Sequence, residues 1–402
     1  MHDETTIGAR LRALRRWRGM TLDQLAGQAG LSKSFLSMAE RGQRALDRRS
    51  HISALAKTLR VSETDLVGAP HLTADPVQAA PHATVPAVRA ALLTNTLTAP
   101  ATDRARPLSE LVAEMERIDR SEYQHTEVGE RLPALLDELH VHACAPADEA
   151  AHRLALQTLI EAFQTATFTS KDLGYGDLAH IAAMRADEAA RILDDPVSTG
   201  KAASLRIHTM PTTTRERTLA AAEEAADRLE PHARDDLGVQ VLGMLTLAAS
   251  MTATVACDYE RAGHWLDQAA GLAGRTPDTP GENWGAFSAS NVGAWRIALA
   301  TERGESGGDL LRLAASVDEA RLRPRRGRHA AFLADVGRGL ARDKKTRHEA
   351  QRWLLRAEKV APHKIRNSAA VGETVAVMLT QAHGASVGRE LRGLASRMGL
   401  PH

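Results

Sequence analysis

From Leu108 to Gly399 almost every segment repeats its apolar residues at the period of an α-helix. Gly, Pro or Asp marks the turns between segments, as at Asp194-Asp195-Pro196, Glu230-Pro231, Gly274, Gly304 and Ala361-Pro362. The spacing predicts roughly thirteen helices over that stretch, pairing into hairpins. Aromatic residues are only 3% of the chain, while Ala is abundant. A β-sandwich needs β-branched and aromatic strands, so this balance opposes one and favours closely packed helices. The predicted class is all-α.

A length of 402 residues suits two or three domains. The formal net charge is +1, but its distribution is uneven: residues 1–68 carry a net +5 and the remainder a net −4. The sum alone marks no nucleic-acid partner, and a small basic head on a mildly acidic body is more informative than the sum. Cys144 and Cys257 are the only cysteines, too far apart in sequence for a CxxC site and too few for a disulfide framework. The first residues are polar and lack the apolar core of a signal peptide. The longest apolar run, around Val239–Ala256, is interrupted by Gly, Thr and Ser. A cytoplasmic protein with no membrane partner is expected.

Residues 7–67 read as five short helices. Ile7, Leu11 and Leu14 space the first, which ends at Gly19. Thr21 is a candidate N-cap for a second helix that breaks at Gly30. Ser32 caps a third, which stops at Gly42, and Ser62 caps the last, with Asp65 at its third position. Ala26 is small where two helices must cross, and Gly30 suits a turn with positive φ. Residues 69–106, rich in Pro, Ala and Thr, read as a linker with one helix at Val85–Thr96. The domain plan is therefore a head at 1–68, a linker at 69–106 and a helical body at 107–402.

The head resembles the Xre/Cro/phage-repressor family of helix-turn-helix domains. The residues that carry the resemblance are Ile7-Gly8-x-x-Leu11-x-x-Leu14-Arg15, Thr21-Leu22-x-x-Leu25-Ala26-x-x-Ala29-Gly30-Leu31-Ser32 and Leu36-Ser37-x-x-Glu40-Arg41-Gly42. The resemblance implies a lambda-repressor-like five-helix fold whose third helix enters the major groove of double-stranded DNA. It places Lys33, Ser34, Ser37 and Met38 toward base edges. Arg41, Arg44, Arg48 and the start of the second helix at Thr21 would hold phosphates, and Ser32 is counted among the DNA-binding residues. It also implies that Arg15 and Glu40 form a structural ion pair. Leu22 departs from the Gln often found at that position, which leaves one phosphate contact unfilled.

In the body, Ala262, Leu266, Ala269 and Gly274 share the offsets 0, +4, +7 and +12 with Ala350, Leu354, Ala357 and Pro362. This pattern is similar to the second half of a tetratricopeptide repeat, with degenerate repeats that imply an irregular α-solenoid. Such a head on such a body resembles actinobacterial Xre-type regulators and, more distantly, peptide-sensing quorum regulators. The resemblance implies a homodimer on an inverted-repeat operator, controlled by a small-molecule or peptide effector. A scaffold that binds a protein partner is the rival reading. Trp284, Phe287, Asn291 and Trp295 fall at 0, +3, +7 and +11, along one face of a predicted helix. With Tyr259 they are the candidate effector contacts, since an Asn amide suits a peptide backbone and Trp rings supply an apolar wall. Five arginines between Arg321 and Arg328 form a second basic stretch. His140, His142, Cys144 and His152 lack the spacing of a structural zinc site, and Ser198-Thr199-Gly200-Lys201 lacks the leading Gly of a P-loop. No catalytic constellation is visible, so no enzyme activity, cofactor or metal is expected.

Overall fold

The computed structural model describes residues 6–68, 76–120, 124–381 and 388–400. Among them all regular structure is helical and no strand occurs. The first five helices are α1 (Ile7–Trp17), α2 (Leu22–Ala29), α3 (Lys33–Glu40), α4 (Arg49–Leu59) and α5 (Glu63–Val67). Next come α6 (Pro76–Thr94), α7 (Leu108–Arg120), α8 (His125–Cys144), α9 (Glu149–Asp172), α10 (Gly176–Leu193) and α11 (Pro196–Thr209). They are followed by α12 (Arg215–Leu229), α13 (Asp236–Val255), α14 (Tyr259–Ala273), α15 (Ala289–Arg303), α16 (Gly307–Ala315) and α17 (Glu319–Leu322). The last are α18 (Arg326–Ala341), α19 (Arg347–Val360), α20 (Pro362–Arg366), α21 (Ala369–Gln381) and α22 (Arg389–Arg397).

These helices gather into two compact units. Unit 1 holds Met1–His71, Pro211–Leu219 and Ala249–His402; unit 2 holds Leu72–Met210 and Ala220–Ala248. The head therefore does not stand apart from the body. It shares a unit with the C-terminal helices, and residues 107–402 divide between the two units.

In the head, Leu11, Leu25, Leu36, Leu55, Leu59 and Leu66 are buried, each contributing about 2 kcal/mol on burial. Gly8 sits where α1 meets α3: a Cβ there would lie 2.1 Å from the Ala39 carbonyl oxygen, so no larger residue fits. In the C-terminal helices the paired small-residue pattern is a packing pattern. Ala350, Leu354 and Ala357 of α19 and Ala262 and Ala269 of α14 are all buried.

In unit 2 the stretch expected as a linker is corrected. It contains the 19-residue α6, whose Val85, Val88, Ala91 and Leu92 belong to the same core as α8, α9 and α10. Pro76 stands at the first position, where the missing N–H has no helical partner. Pro81 and Pro86 each remove one bond inside the helix. Burial of its apolar face outweighs those two losses. One helix among the described residues, α13, is long and apolar enough to cross a membrane, and 94% of its apolar window is buried within the protein.

Candidate nucleic-acid interface

The bihelical element of the head is built by local signals. The Thr21 hydroxyl accepts from the Gln24 N–H at 3.2 Å, and the Gln24 side chain accepts from the Thr21 N–H at 2.9 Å. This reciprocal cap starts α2. Gly30 ends it at φ 65°, in the left-handed region that favours glycine. The chain then turns, and Ser32 caps α3 by accepting from the Phe35 N–H at 3.2 Å. Leu36 and Ala39 face the core of the head, and Phe35 packs edge-on against His51 at 4.9 Å. The opposite face of α3 is left to solvent, with Lys33 and Ser34 exposed and Ser37 and Met38 half-buried.

Behind this face, Arg15 grips Glu40 through two parallel bonds of 2.6 and 2.8 Å. The side chains keep only 12% and 5% of their exposure, so α1 and α3 are joined by a shielded bidentate pair. The Glu40 hydrogen bond is the main reason the Arg15 guanidinium holds its proton more tightly than usual. Glu40 is thereby committed to the fold.

The sequence-predicted contacts divide into three groups. Thr21, Ser32, Lys33, Ser34, Ser37 and Met38 come together along α3 and the start of α2. Lys33 Nζ lies 2.7 Å from Asp23 Oδ2, with both side chains more than half exposed. An exposed pair of this kind is worth at most about 1 kcal/mol, so Lys33 is easily drawn to a stronger acceptor. Arg41 and Arg44 are exposed on the segment after α3, and their guanidinium groups have no hydrogen-bond or ion-pair partner among the described residues. Arg48 differs from expectation. It is half-buried and donates Nε to the Glu302 carbonyl at 2.6 Å, so it braces the head and is not open to phosphate. Sequence reasoning overlooked Arg49, which is exposed on the first turn of α4.

It also overlooked how firmly the segment bearing Arg41 and Arg44 is held. Asp47 is 3% exposed and sits between Arg342, at 3.0 and 3.2 Å, and Arg338, at 3.3 Å. Burial alone would raise the Asp47 carboxyl, but the charges of Arg342 and Arg338 outweigh it and hold the group below its usual range. Arg338 also donates to the Asp47 carbonyl at 2.7 Å. Glu373 of α21 is buried and accepts from the Ile7 N–H at 2.9 Å and the Leu46 N–H at 3.4 Å. Burial raises its carboxyl to about 7, against the pull of those N–H groups. Glu302 accepts from the Ser50 N–H at 3.2 Å, and Gln381 donates to the Gln43 carbonyl at 2.6 Å. Residues 43–50 are thus pinned to α15, α18 and α21 from several sides. The one local hint was Glu373, a lone carboxylate in the apolar run Ala369–Gln381.

The proposed effector stripe is corrected too. Trp284 lies in the 3-10 turn Trp284–Ala286, Gly285 takes φ 61°, and Ser288 caps α15 by accepting from the Asn291 N–H at 3.2 Å. Trp284 and Phe287 therefore precede the helix that carries Asn291 and Trp295, and the four do not share one helical face. Phe287, Asn291 and Trp295 are buried, Trp284 is half-buried, and only Tyr259 is exposed. The second basic stretch is largely spent on the fold. Arg321, Arg325 and Arg326 donate to the carbonyls of Asp278, Pro280 and Val360, and Arg328 lies over the Trp295 ring at 5.4 Å.

Two helices set around a left-handed glycine turn, with the second capped and its outer face free, define a helix-turn-helix element, the class of fold that suggests a DNA-binding regulator. Comparison with known families agrees: residues 6–67 match a family described as a helix-turn-helix domain. No curated protein and no solved structure matches the chain.

Proposed function

We propose that the protein is a sequence-specific transcription regulator of Xre type that binds double-stranded DNA. The observation that carries this reading is the capped α3. It offers Lys33 and Ser34 at its solvent-facing start, and the unpartnered Arg41 and Arg44 follow it. A lysine donates to guanine O6/N7 in the major groove, and arginines at the flank neutralise phosphates. A recognition helix of eight residues reads only about 4–6 base pairs, so useful specificity calls for two heads on an inverted repeat and hence a homodimer. The helical-repeat remainder, tetratricopeptide-like in its small-residue packing, would dimerise and receive a small-molecule or peptide effector in the cytoplasm. By linkage, operator DNA would then alter effector affinity by the same factor that effector alters DNA affinity.

The test is selection of bound sequences from a random duplex library with the full-length protein. Enrichment of an inverted repeat with fixed half-site spacing is the expected result. Enrichment of a single half-site would remove the dimer from this reading, and absence of any enrichment would remove DNA recognition.

A further inference from the structure

A groove of about 400 Å³ opens on unit 2 between α6 and the Tyr175 turn that leads into α10. Val85, Pro86, Ala90 and Leu93 of α6 give it an apolar floor, and Leu93 is 53% exposed. Its polar lining comes from His82, Arg89 and Tyr175. His82 Nδ1 lies 3.1 Å from the Tyr175 hydroxyl, with the two rings edge to face. Burial, with His125 nearby, lowers the imidazole, and burial raises the phenol, so both are neutral hydrogen-bonding groups near pH 7. Arg89 completes the lining. Its guanidinium has no hydrogen-bond or ion-pair partner among the described residues. Pro86 has no N–H, so α6 offers the His82 carbonyl no helical donor.

A permanent cation, a neutral imidazole–phenol pair and an apolar floor in a groove of ligand size are complementary to one class of molecule. We propose that this groove binds a small amphipathic organic anion. Its carboxylate or sulfonate is held by Arg89 and the Tyr175 hydroxyl, and its hydrocarbon part lies along Val85, Pro86 and Leu93. A guanidinium suits such a head group because its fork donates two parallel bonds to two oxygens. The site gives the effector of the proposed regulator a place and a chemistry, and to that extent it rests on that reading. Binding is measured without DNA, so failure of this site and failure of DNA recognition are told apart.

The probes are decanoate and decanol, which share a chain and differ in charge, titrated calorimetrically into the full-length protein. Decanoate is expected to bind saturably, one per chain, and at least tenfold more tightly than decanol. Arg89→Gln is expected to bring decanoate down to the decanol level, and Tyr175→Phe to weaken it a few-fold. Arg104→Gln, a charge change elsewhere on unit 2, should leave it unaltered. Arg89 is exposed and unpartnered, so its variant should keep the parent's melting temperature, which is checked alongside. The proposal is overturned if decanoate, phenylbutyrate and anilinonaphthalene sulfonate all fail to saturate up to about 1 mM. It is equally overturned if Arg89→Gln binds decanoate as the parent does.

Discussion

Asp47→Asn isolates the charge that fastens the head to the C-terminal helices. The substitution keeps the shape and one acceptor oxygen, but it leaves Arg338 and Arg342 facing a neutral amide with their side chains only 11% and 8% exposed. Breaking a buried ion pair by removing one partner costs about 3–5 kcal/mol. Some relief remains, because Arg338 still meets Asp335 at 3.1 Å and Arg342 still donates to the Thr301 carbonyl at 2.6 Å. The lower end, about 3 kcal/mol, is therefore expected, a large share of the 5–15 kcal/mol typical of folded proteins. The molecule supplies its own probe. Trp17, Trp265, Trp284, Trp295 and Trp353 all lie in unit 1, so indole fluorescence follows that unit alone, while far-ultraviolet circular dichroism follows both. In urea the fluorescence transition should move to lower denaturant, and the part of the dichroism change that belongs to unit 2 should stay in place. A fluorescence midpoint shifted by less than the equivalent of about 1 kcal/mol would refute the idea that Asp47 holds the head.

Glu373 sets a pH dependence. Its folded carboxyl titrates near 7 and its unfolded one near 4.5, so the folded state keeps a proton that the unfolded state has released. Its contribution is complete below pH 4.5 and is lost as pH rises through 7, by about 3 kcal/mol. Glu373→Gln should abolish that slope in urea midpoints taken at pH 5 and pH 8. In DNA-binding titrations, Lys33→Ala should lose about 1–3 kcal/mol of discrimination at one base pair, and equal loss on specific and random duplexes would refute base reading by Lys33. Arg41→Ala should reduce the slope of log affinity against log salt by about one, while Arg48→Ala should leave that slope unchanged because its Nε serves the Glu302 carbonyl. Gly30→Ala should destabilise unit 1 by about 1 kcal/mol through backbone strain alone, since nothing lies within 4 Å of the added methyl group; an unchanged fluorescence midpoint would contradict this.

The head was legible because its punctuation is local. Thr21, Ser32 and Ser62 each satisfy an N–H three residues away, and Gly30 supplies the left-handed turn, so a short window of sequence contains the whole signal. The linker reading failed because proline was weighed without burial. At Pro76 the missing N–H costs little, and Val85, Val88 and Leu92 repay the two interior losses only once α8 and α10 are in place. The Trp284–Trp295 stripe failed because a period of 3.6 was carried through Ser288, a residue type that favours caps over helix interiors. Asp47 and Arg338 were beyond reach altogether: they are 291 positions apart, and nothing in the neighbourhood of either announces the other.

The pinning of residues 43–50 has a geometric consequence. A head on a flexible tether adapts to operators whose half-sites are variably spaced, because the tether takes up the difference. Here there is no slack to spend, since α1, the segment after α3 and α4 are all anchored to α15, α18 and α21. In a dimer of such chains the C-terminal helices would act as a fixed ruler. Inserting one base pair between half-sites moves the second by about 3.4 Å and turns it by roughly 35° around the duplex. With each head fixed to its own chain, only the contact between two protomers could take up that change, so spacing would be read by the dimer contact and not by the heads.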